Sequence, residues 1–191
     1  MPAWNRSGLI VTVLFSAMIA GCATPARIEQ MQTGPSAASR AVLATPALKE
    51  GVAVKDVTGG RETNPMWVSN VASSDFERAL EASLRNAGLL SANRQGSKYT
   101  LTAHMLKLDQ PFIGASMTVT ATVQYSLVDR ASGKEMFART LATPFTAEFS
   151  AAFLGTERLK LANEGAARTN IQQLIDALMS ARLEGVELQK P

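Results

Sequence analysis

Apolar and polar residues alternate with a period of two over two long stretches. Tyr99, Leu101, Ala103 and Met105 are separated by Thr100, Thr102 and His104. Met117, Val119, Ala121, Val123, Tyr125 and Leu127 are separated by Thr118, Thr120, Thr122, Gln124 and Ser126. Side chains alternate faces along a strand, so each stretch predicts a half-buried strand with one apolar and one threonine-rich face. Gly51 to Val57 is a shorter apolar run and predicts another strand. Glu135 to about Thr143 follows a turn signal, Ser132-Gly133, and predicts the partner of a hairpin. Pro144 cannot donate a ladder hydrogen bond and marks an edge, a bulge or the strand's end.

Two segments carry the helical period instead. Phe76, Leu80 and Leu84 recur every four residues and form one apolar stripe. Ser74 and Glu77 stand at capping-box spacing before it. Gly88 then Leu89 suits a left-handed C-terminal cap. From Thr156 to about Leu183 the pattern is again helical, with Ile171, Leu174, Ile175 and Leu178 on one face and Gly165 weakening the middle. The order is β-α-β-β-β-α. Each helix has one apolar stripe and the sheet one apolar face. The economical arrangement is an α+β two-layer sandwich, a mainly antiparallel sheet of about four strands with two helices on one face. There is no internal repeat, which argues against a left-handed β-helix acyltransferase.

The first part of the chain follows another pattern. An apolar run begins at Leu9, after Arg6 and with no acid in the first 21 residues, and ends in Ile19-Ala20-Gly21-Cys22. A short positive start, an apolar middle and small residues at the end are the layout of a secretory signal. The run falls short of the ~20 residues that a permanent spanning helix needs. Cys22 is the one cysteine. The ending resembles the lipobox of bacterial lipoproteins, which implies acylation of the Cys22 thiol and cleavage just before it. Two acyl chains suffice for stable anchoring where one is marginal. Ala23 follows, where an Asp would resemble an inner-membrane retention signal. The resemblance therefore implies an outer-membrane, periplasm-facing address. Residues 1–21 are thus expected to be a signal peptide, 22–48 a lipidated tether and 49–191 a single domain. The Ala-, Thr-, Pro- and Ser-rich tether would span about 25–30 Å as a flexible coil, or part of it would dock along the domain.

Charge and chemistry narrow the function. The 191 residues carry 19 basic and 16 acidic side chains, without the basic run that a nucleic-acid binder needs. With Cys22 acylated, no thiol remains for a disulfide, so the apolar core must hold the domain. The single histidine, His104, lies on a threonine-rich strand face and has no nucleophile or orienting acid beside it in the sequence. One histidine without a free thiol is a poor start for a zinc site. Gly59-Gly60 lacks the Lys-Ser/Thr of a P-loop. Glu77 and Glu81 read as a solvated helix face. No enzyme, cofactor or metal is expected.

Two features suit contact with a partner. Met66 and Trp67 end a Gly/Pro-punctuated loop, although both also suit the core. Phe112 and Ile113 sit between two strands, where exposed apolar groups are unusual unless they meet something; the equal alternative is that this tip curls over one end of the core. Phe145, Phe149, Phe153 and Leu154 have helical spacing and are expected in the core.

The element order behind a lipobox and tether is similar to that of small periplasm-facing α/β lipoproteins such as the lipopolysaccharide-assembly lipoprotein. Thr63-Asn64-Pro65-x-Trp67 also resembles uncharacterised proteobacterial lipoproteins. Beyond Cys22, no functional residue carries over. The expectation is a non-enzymatic outer-membrane lipoprotein, an adaptor or assembly factor that meets an envelope protein. The alternative is a carrier or sensor of a lipid or glycan, with an apolar cleft lined by Phe112, Ile113, Phe145 and Phe149.

Overall fold

The computed structural model describes residues 22–41, 48–66 and 68–181. The expected signal peptide, Trp67 and the last residues of the expected second helix lie outside them. Four strands form one mixed sheet in the order β1-β2-β3-β4. They are β1 (Val52–Thr58), β2 (Tyr99–Asp109), β3 (Met117–Asp129) and β4 (Glu135–Ala147). The β1/β2 pair is parallel, and β2/β3 and β3/β4 are antiparallel. Two short helices, α1 (Ile28–Met31) and α2 (Ala37–Ala41), precede the sheet. Helix α3 (Ser73–Asn86) makes the crossover between the parallel strands, and α4 (Gly155–Ser180) follows β4. The helices cover one face, as the period-two and helical patterns require.

The alternating residues of β2 and β3 fall as expected. Tyr99, Leu101, Val119, Val123, Tyr125 and Leu127 are buried beneath the helices. The threonines of the other face stay open to solvent or half-buried. A bulge between Met105 and Lys107 shifts the pairing, so Leu108 rather than Lys107 continues the inward row. Strand β4 runs straight through Pro144, which is tolerated because β4 is an edge strand. At the β3–β4 turn, Asp129 Oδ1 accepts from the Ser132 backbone at 2.8 Å and its hydroxyl at 2.7 Å. These bonds hold the Asp129 carboxyl below its ordinary value.

Helix α3 buries Phe76, Leu80 and Leu84 as its stripe predicts. It ends at Gly88, whose φ of 69° is the left-handed region that glycine tolerates. Leu89 N–H closes back on the Leu84 carbonyl at 2.9 Å, the expected cap. The start of the helix differs from expectation. Its cap position is Ala72, without a side-chain bond. Ser73 Oγ instead accepts from the Gly60 N–H at 2.9 Å, and Glu77 pairs with Arg94 at 3.2 Å. The Ser74/Glu77 capping box does not form because the preceding loop lies against the helix start.

That contact also explains the paired glycines. A Cβ at Gly60 would lie 2.3 Å from the Ser73 nitrogen, and one at Gly59 2.2 Å from the Met105 carbonyl oxygen. The loop is squeezed between β2 and α3.

Small residues let α4 approach the sheet closely. Ala162, Ala166 and Ala121 are buried in this contact. Gly165 is a packing residue. Its missing Cβ would lie 2.2 Å from the Phe145 ring. Asn170, fully buried, pins the helix to the strands. Its Nδ2 donates to the carbonyls of Ala121 (3.1 Å) and Leu141 (3.0 Å), and its Oδ1 accepts from the Tyr125 hydroxyl at 2.8 Å. Burial pushes the Tyr125 phenol well above its ordinary value.

Two stability changes follow. Alanine exceeds glycine in helix propensity by about 1 kcal/mol, yet Gly165→Ala is expected to destabilise the protein by about 1–3 kcal/mol through overpacking on Phe145. Leu80→Ala is expected to cost about 2–5 kcal/mol. Equilibrium denaturant unfolding measures both, and a stabilised Gly165→Ala variant would show that Phe145 yields freely.

Candidate functional site

Residues 22–41 do not stand off the domain as a tether. They lie along α4, the docked alternative, and the contacts keep a regular register. Thr24 Oγ1 meets Lys160 Nζ at 3.2 Å, and the Gln30 carbonyl accepts from Arg168 at 3.0 Å. Thr33 bonds Gln172, while the Ser36 N–H (3.1 Å) and Ser39 hydroxyl (2.5 Å) both donate to Asp176. The strongest contact lies near the start of this series. Arg27 donates from its backbone N–H, Nε and Nη2 to the Glu164 carboxylate, each at 2.9 Å. Glu164 is only 2% exposed, so this arm is its replacement for water. The paired carboxylate raises the Arg27 guanidinium above its ordinary value.

The helix residues involved, Lys160, Glu164, Arg168, Gln172 and Asp176, recur every four residues, a rise of about 6 Å. On sequence alone they resemble a solvated charged stripe. The informative signal was the small, polar composition of 22–41, which lets a chain lie flat. The same composition equally suits a flexible coil.

The arm fixes where Cys22 sits. Ala23 is buried, and its N–H donates to the Pro65 carbonyl at 2.8 Å. Exposed Cys22 is therefore one residue from the rigid body. Pro65 belongs to a tight loop closed by paired Asn64 and Val68. A buried polar knot holds that loop. The Ser69 carbonyl accepts from Gln110 Nε2 (2.9 Å) and Asn163 Nδ2 (2.8 Å), and its hydroxyl donates to the Thr24 carbonyl at 2.8 Å. Four separate segments meet there: the arm, the loop, the start of the β2–β3 connection and α4.

The sequence candidates gather at this end. Met66 is exposed in the loop that holds Ala23. Phe112 and Ile113, at the β2–β3 tip, are 98% and 84% exposed. Phe149, Phe153 and Leu154 were expected in the core, and the structure corrects this. Phe153 is 95% exposed, and Phe149 and Leu154 are exposed too. They lie on a 3-10 turn (Phe149–Ala151) and the loop after it, just before α4, so the helical spacing does not correspond to a helix. Arg158 shapes this loop. Its Nη1 donates to the carbonyls of Ala152 (2.7 Å) and Phe153 (3.0 Å), and its guanidinium lies 5.0 Å from the Phe149 ring centre.

The residues named for an apolar cleft do not converge. Phe145 packs on Gly165 and lines an open groove of about 380 Å³ with Ala147 and Leu161. Phe112 and Ile113 project outward. His104 is exposed on the open sheet face, its Nδ1 2.6 Å from the Thr58 hydroxyl. Among the described residues, no group of three His, Cys, Asp or Glu side chains is placed to hold a metal ion. Nor is any described helix long and apolar enough to cross a membrane.

The domain is thus a two-layer α+β sandwich with an N-terminal arm strapped along its last helix. No family model matches this sequence, and no curated protein does. In fold it is similar to protein XCC0632 of Xanthomonas campestris, assigned to the DUF330 family, with TM-score 0.52 and 14% identity over 82% of this chain and 95% of that one. Looser likenesses are PelC of Paraburkholderia phytofirmans, a dodecamer (TM-score 0.49, 18% identity, 73% and 95% of the two chains), and a minor lipoprotein of Acinetobacter baumannii (0.42, 17%, 58% and 87%). At these identities the likeness is one of fold.

Removing the Arg27 side chain leaves Glu164 buried without its charged partner. The loss is limited because the arm can peel away and let water reach the carboxylate. Arg27→Ala is expected to cost about 2–3 kcal/mol and to make residues 22–41 exchange and cleave faster than the sheet. Hydrogen exchange and limited proteolysis check this, and an arm as protected as in the parent would show that Arg27 does not secure it.

Proposed function

We propose that this chain is a non-enzymatic envelope lipoprotein, cut before Cys22 and held by acyl chains on that residue at the periplasmic face of the outer membrane. It works there as an adaptor or assembly factor through protein contacts. The observation that carries the reading is the Ile19-Ala20-Gly21-Cys22 ending of an apolar run, together with the exposed position of Cys22 on the domain. An acyl group there meets no steric obstacle from the fold. Two surfaces suit a protein partner. One is the open, threonine-rich face of the sheet. The other is β4, whose free edge can accept a further strand. Phe112 and Ile113 are exposed rather than lining a cleft with Phe145, which does not favour the carrier alternative.

The anchor is tested by labelling cells with an alkyne fatty acid. The parent is expected to take up label, and Cys22→Ser to lose it. Label persisting in Cys22→Ser would refute the assignment. The adaptor role is tested with photo-crosslinking residues at Thr120 and Thr140 on the open face, and at Met66 and Phe112. A discrete protein adduct is expected at one or more of these sites. Its absence at all four, in cells where the anchor is intact, would count against an adaptor.

A further inference from the structure

We propose that the Cys22 end of the domain is a membrane-docking surface. In it Met66, Phe112, Ile113, Phe149 and Phe153 enter the interfacial layer of the same bilayer that receives the acyl chains. The inference rests on the acylation of Cys22, and it adds that the folded domain itself lies against the lipid.

The position of Cys22 carries the inference. A free tether of ~25 residues would let the domain stand roughly 25–30 Å away. The docked arm removes that freedom, because Ala23 is buried and bonded to Pro65. Acyl chains on Cys22 therefore bring the loop around Pro65 to the bilayer surface. Met66 is the next residue of that loop. The Ser69 knot ties the same loop to Gln110, two residues before Phe112, and to Asn163 of α4. Ser116, past the tip, bonds Glu148 at 2.9 Å, which brings the Phe149–Leu154 loop to the same end.

The distribution of apolar surface agrees. Besides these loops, Leu106 at the β2 bulge, near the same end, is the remaining exposed large apolar side chain among the described residues. The opposite end of the sheet carries Asn93-Arg94-Gln95-Gly96-Ser97-Lys98 and Arg130-Ala131-Ser132-Gly133-Lys134. Both loops there are polar. An exposed phenylalanine on a rigid tip normally marks a contact.

The form of the surface favours lipid over protein. Three separate loops present one to three exposed apolar side chains each rather than a groove or a flat patch, and a bilayer demands no matching shape. Arg158, buried beneath the third loop, holds its shape through the Ala152 and Phe153 carbonyls. Aromatic and aliphatic tips on rigid loops suit the boundary between acyl chains and headgroups.

The test uses the full chain, purified in its acylated form and placed in phosphatidylethanolamine/phosphatidylglycerol vesicles. Phe112→Cys, Ile113→Cys and Phe153→Cys are each labelled with an environment-sensitive fluorophore, with Gln95→Cys and Ala131→Cys as far-end controls. Docking predicts blue-shifted emission at the three tips, quenched by lipids with a nitroxide near the headgroup, and neither effect at the controls. Thermal unfolding of each variant confirms the fold. Tips that emit like the controls, on protein shown by mass to be acylated, would overturn docking and leave the lipoprotein reading in place. A blue shift without nitroxide quenching would mark a protein contact and also overturn docking. Unacylated Cys22 would remove both readings together.

Discussion

The placement of everything at the Cys22 end depends on one buried carboxylate. Glu164 lies on the last helix, almost sealed from water, and among the described residues Arg27 is its ion-pair partner. Burying an ionised carboxylate alone is prohibitive. The backbone and guanidinium of Arg27 supply three donors to it. The helix therefore requires the arm as much as the arm requires the helix. The buried side chains of Ala23, Ala26 and Met31 add apolar contact to this pair, and together they keep Cys22 against the domain.

The sheet and the helix stripes were legible because each rests on a short-range rule. Alternation at 99–105 and 117–127 placed the core face, and Gly88 with Leu89 placed a helix end. The misreadings have a common cause, since each depends on a neighbour distant in sequence. Gly165 reads as a weak point until Phe145 is laid across it. Ser74 and Glu77 read as a cap until Gly60 takes the Ser73 hydroxyl. Phe149 and Phe153 keep a four-residue spacing yet lie on a turn, because spacing does not reveal whether a helix has begun. The arm was the hardest, since a stripe of charges every four residues on α4 looks the same facing water or facing another segment.

The fold by itself does not supply the function. Two-layer sandwiches of this order accept many roles, and the solved proteins with a similar backbone share too little sequence to lend theirs. What distinguishes this chain is a division of its surface. One end is apolar and holds Cys22, the other end is polar, and the open sheet face between them is dressed in threonines. Such a division gives the molecule an up and a down.

The arm is made first and its dock last. Arg27 and Glu164 are 137 residues apart, so the strap cannot close until nearly the whole domain has emerged and α4 has formed. Until then the arm has no dock on the last helix. Closure shortens that leash at a late step of folding. For a chain already attached at Cys22, completing the fold would reel the domain in, so that its final distance from the anchor is decided by folding rather than by linker length.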